Sequence, residues 1–339
     1  MEGIGISIII TAYNRKEFLL DAINSVLKQT VDKSSYEIIV ISNFDVDVSQ
    51  FDPEYEIRTV FMDGTIGEFL FRGINMAKYN IIAFLDDDDT FEIEKLSRLI
   101  EIFSSNQGLC YYHNSMRYVN SNRQKIDYVR LVEKRSRTIN GQFITFNSRN
   151  NLNKIKAALE NRGDFNLSSI AISKDFYQKY LHLLRQIKSN QDGFFFWTGI
   201  ISMGQLVIDN VELTNYRVHE MNVSGQLSFY SKAQEVQKEI YTFDLILSFL
   251  EESNIPFKNY KVINNWILLF KYEYELMSAI FSNSRRGRIM ILIKRLFSIN
   301  LKYSNTLKYR ILLISFLAII NSDYARMFYL KVGIGNQRT

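Results

Sequence analysis

Four consecutive carboxylates, Asp86-Asp87-Asp88-Asp89, stand directly after the apolar run Ile81-Ile82-Ala83-Phe84-Leu85, and no other segment narrows the fold so far. Such a short apolar run reads as a strand buried on both faces, the kind found in parallel sheets. Like charges crowded at its carboxyl end are costly unless a cation or water takes them up. In open α/β sheets, ligands bind at that end of the strands. Hard oxygen donors suit Mg2+ or Mn2+, and such ions commonly bridge carboxylates to phosphates. The bland alternative is a solvated acidic turn between a strand and a helix.

The surrounding pattern favours the first reading. Gly5–Ile10, Ile38–Ile41 and Ile57–Phe61 read as strands, and helices are expected over Lys16–Gln29 and Ile66–Lys78. In the first helix Leu19, Ala22, Ile23, Val26 and Leu27 share one face, and Asn14 with Glu17 fits a capping pair at its start. Strands and helices alternating at these lengths predict a mostly parallel sheet with right-handed crossovers, an α/β Rossmann-like fold. A helix over Glu92–Phe103 follows the acids. Residues 108–225 are mixed, with strand-like pieces at Leu109–His113, Ile170–Ser173 and Leu206–Asp209 and a helix near Lys174–Ile187. The polar stretch Asn140–Asn153 reads as a loop. From Gln226 onward the pattern is helical, with Pro256 as its breaker.

Composition sets limits on the chemistry. The single cysteine, Cys110, excludes an intramolecular disulfide and any multi-cysteine zinc site. Three histidines (His113, His182, His219) leave carboxylates to do any metal binding. No secretory signal is expected, and no run reaches the roughly 18 apolar residues that a spanning helix needs.

The strings ISIIITAYNRKEFLLDAINSVLKQT, YEIIVIS, GINMAKYNIIAFLDDDD, NQDGFFFW and YRVHEMNVSG, in this order over residues 4 to about 225, resemble a family 2 glycosyltransferase of the GT-A fold. The resemblance implies a GT-A domain over 1–225, with a nucleotide-sugar half (1–107) and an acceptor half (108–225), then a helical, basic region over 226–339. It implies an inverting transfer of a sugar from a nucleoside-diphosphate donor, UDP- or GDP-linked first, to a hydroxyl of a glycan or lipid-linked acceptor. Thr11, Ala12 and Tyr13 would cradle the base and ribose. Asp86 and Asp88 would be the outer acids of a D-x-D motif, with Asp86 on the ribose or metal and Asp88 on the metal. Asp87 fills the variable position, and Asp89 takes a supporting or acceptor-side role. Asp192 would be the base that deprotonates the acceptor, with Gln191 where a Glu usually precedes it. His219 would ligate the metal or meet the diphosphate, and Arg217 would lie nearby as a second positive group.

Two positions depart from the pattern. Ser42-Asn43 stand where an acidic pair usually reads the base, and Asn43 can both donate and accept in its place. Leu70-Phe71 stand where Arg-Asn is usual, which leaves Arg72, displaced by about a residue, as the phosphate contact. Two rivals follow. A sugar nucleotidyltransferase would carry a glycine-rich basic loop after the first strand, where this chain has Thr11-Ala12-Tyr13-Asn14-Arg15. A non-catalytic sugar-nucleotide- or membrane-binding relative is the other.

Charge is uneven. Residues 284–339 carry eleven Lys or Arg against one acid, Asp323, while the whole chain is +5, so residues 1–283 are net acidic. Arg285, Arg286, Arg288, Lys294 and Arg295 alternate with apolar residues, as in a helix lying on an anionic membrane. The expected location is therefore cytoplasmic and peripheral to the membrane. The alternatives are a helical region packed on the catalytic domain or in a homo-oligomer. Nucleic acid is not an expected partner, since no recognised motif accompanies the charge.

Overall fold

The computed structural model describes residues 4–126, 144–147, 151–219 and 229–281. They form two compact units, one ending at Val218 and the other comprising His219 and 229–281.

The first unit opens with β1 (Ile6–Ala12), α1 (Leu19–Leu27), β2 (Tyr36–Ser42), β3 (Ile57–Phe61), α2 (Ile66–Met76) and β4 (Ile81–Asp86). Ile6, Ile8, Ile9 and Ile10 of β1 are all fully buried, as a central parallel strand covered on both faces requires. β1 pairs in parallel with β2 on one side and β4 on the other, and β2 carries β3 at the edge. The chain thus runs outward from β1 and returns to its other side, which makes the carboxyl edge between β1 and β4 a topological switch point. α2 begins where expected because Thr65 and Glu68 form a reciprocal capping box.

The second half continues with β5 (Thr90–Phe91), α3 (Lys95–Ser105), β6 (Leu109–Val119), β7 (Ile144–Asn147), α4 (Leu152–Glu160), β8 (Ile170–Ser173), α5 (Lys174–Tyr177), α6 (Leu181–Leu184), α7 (Gln191–Ile201) and β9 (Gln205–Arg217). The sheet order is β3-β2-β1-β4-β8-β6-β9-β5, with β7 also on β9. β8 is antiparallel to both β4 and β6, while β6 and β9 are parallel. The fold is a mixed α/β sheet with flanking helices.

Three local expectations are corrected. α1 starts at Leu19 rather than Lys16, and no side chain caps it. Asn14 has φ +55° and is drawn to β2 instead: its N–H donates to Asn43 Oδ1 at 2.8 Å, and its Oδ1 accepts from Asn43 Nδ2 at 2.7 Å. The helix expected near Lys174–Ile187 is broken by a 3-10 turn at Gln178–Tyr180; such a turn eclipses positions i and i+3, and the Tyr177 and Tyr180 rings pack edge to face at 6.4 Å. Within the stretch expected as a loop, Ile144–Asn147 pairs antiparallel with β9 and Leu152–Glu160 is helical, because Phe146 and Ile155 bury their side chains.

The second unit contains α8 (Phe229–Glu252) and α9 (Phe257–Phe281), joined across Pro256. They pack antiparallel, with Asp244 paired to Lys271 and Gln237 Nε2 donating to Ser278 Oγ at 2.5 Å. The Phe243 and Phe270 rings stack at 6.4 Å. Among the described residues, no helix is long and apolar enough to cross a membrane. The basic segment 284–339 lies outside the described residues.

Candidate active site

β1 and β4 are parallel neighbours with Thr11 opposite Asp86, so the loops that follow them meet at one edge of the sheet. Thr11 Oγ1 donates to Asp86 Oδ1 at 3.3 Å, and Asp87 N–H donates to the Thr11 carbonyl at 3.2 Å. The acidic run is therefore a tight turn rather than a solvated one: Asp87, Asp88 and Asp89 are buried, and Asp86 is half-buried. Burial pushes the Asp86 carboxyl well up, and the charges of Asp88, Asp89 and Asp87 push it further. Burial and then Asp88 raise Asp89 to about 8.

Arg15, which the sequence reading passed over, supplies part of the counter-charge. Its guanidinium pairs with Asp87 and reaches Asp88 Oδ2 at 2.8 Å. The signal was present, since Arg15 sits in the loop after β1 and parallel pairing of β1 with β4 puts that loop beside the acids.

The remaining donor-side residues are spread along the same edge. Ala12 is buried, and its carbonyl accepts from Asn43 N–H at 3.4 Å. Tyr13 is 54% exposed, with its ring 6.1 Å from that of Phe69. Asn43, at the end of β2, has its amide engaged by Asn14. Arg72 lies exposed on α2.

Arg217, expected near the site as a second positive group, is engaged by the protein itself. It is 1% exposed. Its Nε donates to the Asp88 carbonyl at 2.8 Å, its Nη1 to the Ser121 carbonyl at 2.5 Å and its Nη2 to Asp21 Oδ2 at 2.9 Å. The guanidinium also lies over the Phe18 ring at 4.3 Å, and its own N–H donates to Asp89 Oδ1 at 3.0 Å. The residue braces the acidic turn from below.

Asp192 stands in the first turn of α7, where the positive end of the helix favours a carboxylate. It is not the cap; Asn190, with φ +60°, holds that position. Asp192 Oδ2 accepts from Asn166 N–H at 2.9 Å and Oδ1 from Gly193 N–H at 3.0 Å. Burial raises its carboxyl above the ordinary range, and these bonds offset part of the rise, a direction that suits a general base. His113 is buried, with its Nε2–H donating to the Phe165 carbonyl at 2.7 Å. His219 belongs to the second unit.

Among the described residues, no group of three or more His, Cys, Asp or Glu side chains is arranged as a metal site. The carboxylates of the acidic turn that a divalent ion could meet are those of Asp86 and Asp88. In kind they fit: hard oxygens, with the Asp86 carboxyl driven up by burial and then by like charges that a cation would relieve.

The mixed sheet with the acidic turn at its switch point is the GT-A glycosyltransferase architecture. Residues 7–159 match the family model Glycosyl transferase family 2. An uncharacterized glycosyltransferase of Nostoc sp. is 33% identical over 131 residues, 36% of this chain and 39% of its own length. The poly(ribitol-phosphate) beta-glucosyltransferase of Bacillus spizizenii is 32% identical over 112 residues, 30% of this chain and 18% of its length. This chain therefore spans well under half of the curated relatives it matches. Among solved structures, S. aureus TarS superposes with a TM-score of 0.62 at 13% identity, covering 96% of this chain and 53% of that one. The mannosyltransferase PcManGT of Pyrobaculum calidifontis, solved with GDP-Man and Mn2+, gives 0.54 at 9% identity, covering 96% and 86%.

Proposed function

We propose that the chain is an inverting glycosyltransferase that moves a sugar from a nucleoside-diphosphate donor to an acceptor hydroxyl. The observation that carries this reading is the buried acidic turn at the β1–β4 switch point, tied by hydrogen bonds to the wall that holds the Asp192 carboxylate. The donor's base and ribose fall to Thr11, Ala12, Tyr13 and Asn43, and Arg72 is the candidate phosphate contact. With Asn43 already paired to Asn14, base recognition rests on the remaining lone pair and N–H of its amide together with the exposed Tyr13 ring. Asp86 and Asp88 are the residues to hold a divalent cation; when bound, the cation would supply charge neutralisation for the departing diphosphate.

In the transfer, Asp192 takes the acceptor's proton as its oxygen bonds to the anomeric carbon from the face opposite the donor diphosphate. The bond from that carbon to the diphosphate breaks, and the diphosphate leaves with the electron pair. The raised proton affinity of Asp192 supports this role, since a base tuned toward the working pH transfers protons more effectively.

UDP and GDP are the first nucleotides to test: TarS 1–349 has been solved with UDP-GlcNAc and PcManGT with GDP-Man. Calorimetric titration of UDP, GDP, CDP and dTDP, with and without Mn2+, should show metal-dependent binding of one of them that is lost in Asp88→Ala. Asp192→Asn should keep that binding and abolish release of nucleoside diphosphate from the matching donor. Binding of none of the four would favour the non-catalytic relative. The basic segment 284–339 is proposed to hold the enzyme on an anionic membrane near a lipid-linked acceptor. Anionic liposomes should pellet the full chain but not one ending at 283, and equal behaviour of the two would count against this role.

A further inference from the structure

The acidic turn and Asp192 come from distant parts of the chain, yet one short corner touches both. Three hydrogen bonds run through it in series. Asp86 N–H donates to Ser168 Oγ at 3.0 Å, Ser168 N–H to Asn166 Oδ1 at 2.9 Å, and Asn166 N–H to Asp192 Oδ2 at 2.9 Å.

The corner is itself pinned along its length. Tyr111 Oη donates to the Gly163 carbonyl and His113 Nε2–H to the Phe165 carbonyl, each at 2.7 Å. These two residues alternate along β6 and so present the same face to the corner. The Ser168 carbonyl accepts from Lys95 Nζ at 3.1 Å and from Thr214 Oγ1 at 3.0 Å. Lys95 is fully buried, over the Phe91 ring at 4.7 Å, an expensive placement for a lysine unless its hydrogen bonds are needed there. Asn166 has φ +69° and ψ 105°, a region that residues with a side chain rarely enter and that surrounding contacts must hold.

We infer that the corner Asn166–Ser168 is a positioning device that fixes the Asp192 carboxylate relative to the Asp86–Asp89 turn, with Asn166 and Ser168 as positioning residues. The inference rests on the transferase reading of these two groups. Ser168 sets the height of the turn from its buried side, and Asn166 converts that position into the direction of the N–H that orients Asp192. Sub-ångström placement of base and donor matters here, since a misplacement of about 1 Å costs on the order of a hundredfold in rate.

Two variants test it. Asn166→Gly accepts the backbone conformation freely and deletes the bond to Ser168 N–H. Ser168→Ala deletes the acceptor for Asp86 N–H. Both are checked for wild-type thermal unfolding midpoints within a few degrees. The primary readout is the carboxyl titration of Asp192 by 13C NMR with labelled aspartate, the resonance being assigned by its loss in Asp192→Asn. Loosening the N–H bond should raise the Asp192 pKa by about one in Asn166→Gly. In turnover, Asn166→Gly should lower kcat tenfold or more with the donor KM within twofold, while Ser168→Ala should raise donor KM as well. An Asp192 titration matching wild type in both folded variants overturns the inference whether or not the protein turns over. A wild type inactive with every donor, but whose Asp192 titration still moves in the variants, overturns the transferase reading and leaves the positioning in place.

Discussion

Arg217→Lys separates two roles that the sequence leaves equivalent: a cation that meets the donor's phosphates, and a brace beneath the acidic turn. A lysine keeps the charge but has one ammonium where the guanidinium has a planar fork. In the structure that fork serves the Asp88 carbonyl, the Ser121 carbonyl and Asp21 in three directions at 2.5–2.9 Å. A lysine Nζ can follow one of them. The Asp88 carbonyl, on a residue only 7% exposed, then lacks its donor, at about 1–3 kcal/mol for a buried acceptor left unpaired, whereas Ser121 is exposed. The Asp21 pair adds little, because its carboxylate is 35% exposed and rim pairs are worth about 0–1 kcal/mol. The expected loss is about 1–4 kcal/mol, measured as a shift in urea midpoint at unchanged m-value. Nucleotide binding should weaken only as far as the turn loosens. A variant within about 0.5 kcal/mol of wild type that no longer binds nucleotide would refute the brace and restore Arg217 to the donor side.

Two further predictions concern charge balance. Arg15→Met should cost about 2–4 kcal/mol at pH 7.5, because it strands Asp87 and Asp88, whose side chains are only 4% and 10% exposed. Urea titration at pH 7.5 would show it, and a variant within about 0.5 kcal/mol of wild type would contradict the reasoning. Burial pushes His113 down from 6.5 to about 4, so its contribution is complete above pH 6.5 and is lost as pH falls through 4, where the unfolded chain binds a proton that the fold refuses. His113→Gln keeps a donor for the Phe165 carbonyl and should remove up to about 3 kcal/mol of the stability change between pH 6.5 and 4; superimposable acid profiles of the two proteins would refute this.

How far the sequence led differs between the two halves of the sheet. β1, β2 and β4 were legible because a parallel strand covered on both faces leaves a run of consecutive apolar residues rich in Ile, Val and Leu, and the capping box of Thr65 and Glu68 fixes α2 with local chemistry alone. β7 and the break between α5 and α6 were not, since Phe146 and Tyr177 are fixed by partners far along the chain. The acids were legible as a cluster, but whether they face water or bury themselves depends on Thr11, Arg15 and Arg217, three residues brought there by the sheet. Arg217 shows the limit most clearly: the string Tyr216-Arg217-Val218-His219 says that a cation is near the site, and only the pairing of β9 with β5 and β6 turns that cation under the turn instead of toward a ligand.

The same pairing explains why a corner just before β8 can govern both sides of the reaction. β8 lies between β4 and β6 and runs against both, with Ala83 opposite Ala171 and Ile81 opposite Ser173. An antiparallel strand begins where its neighbour ends, so the residues leading into β8 arrive at the carboxyl end of β4. Continued along that register, Ser168 comes level with Asp86, which is where the 3.0 Å bond between them is found. A parallel strand in that place would have begun at the opposite edge, and the wall beside the acids would have come from its far end. The antiparallel insertion of β8 between the parallel strands β4 and β6 thus brings a chain segment back to the switch point, where the Asn166 N–H orients a carboxylate. Asp192 needs that arrival: α7 supplies the carboxylate, and the N–H bonded to its Oδ2 comes from the corner.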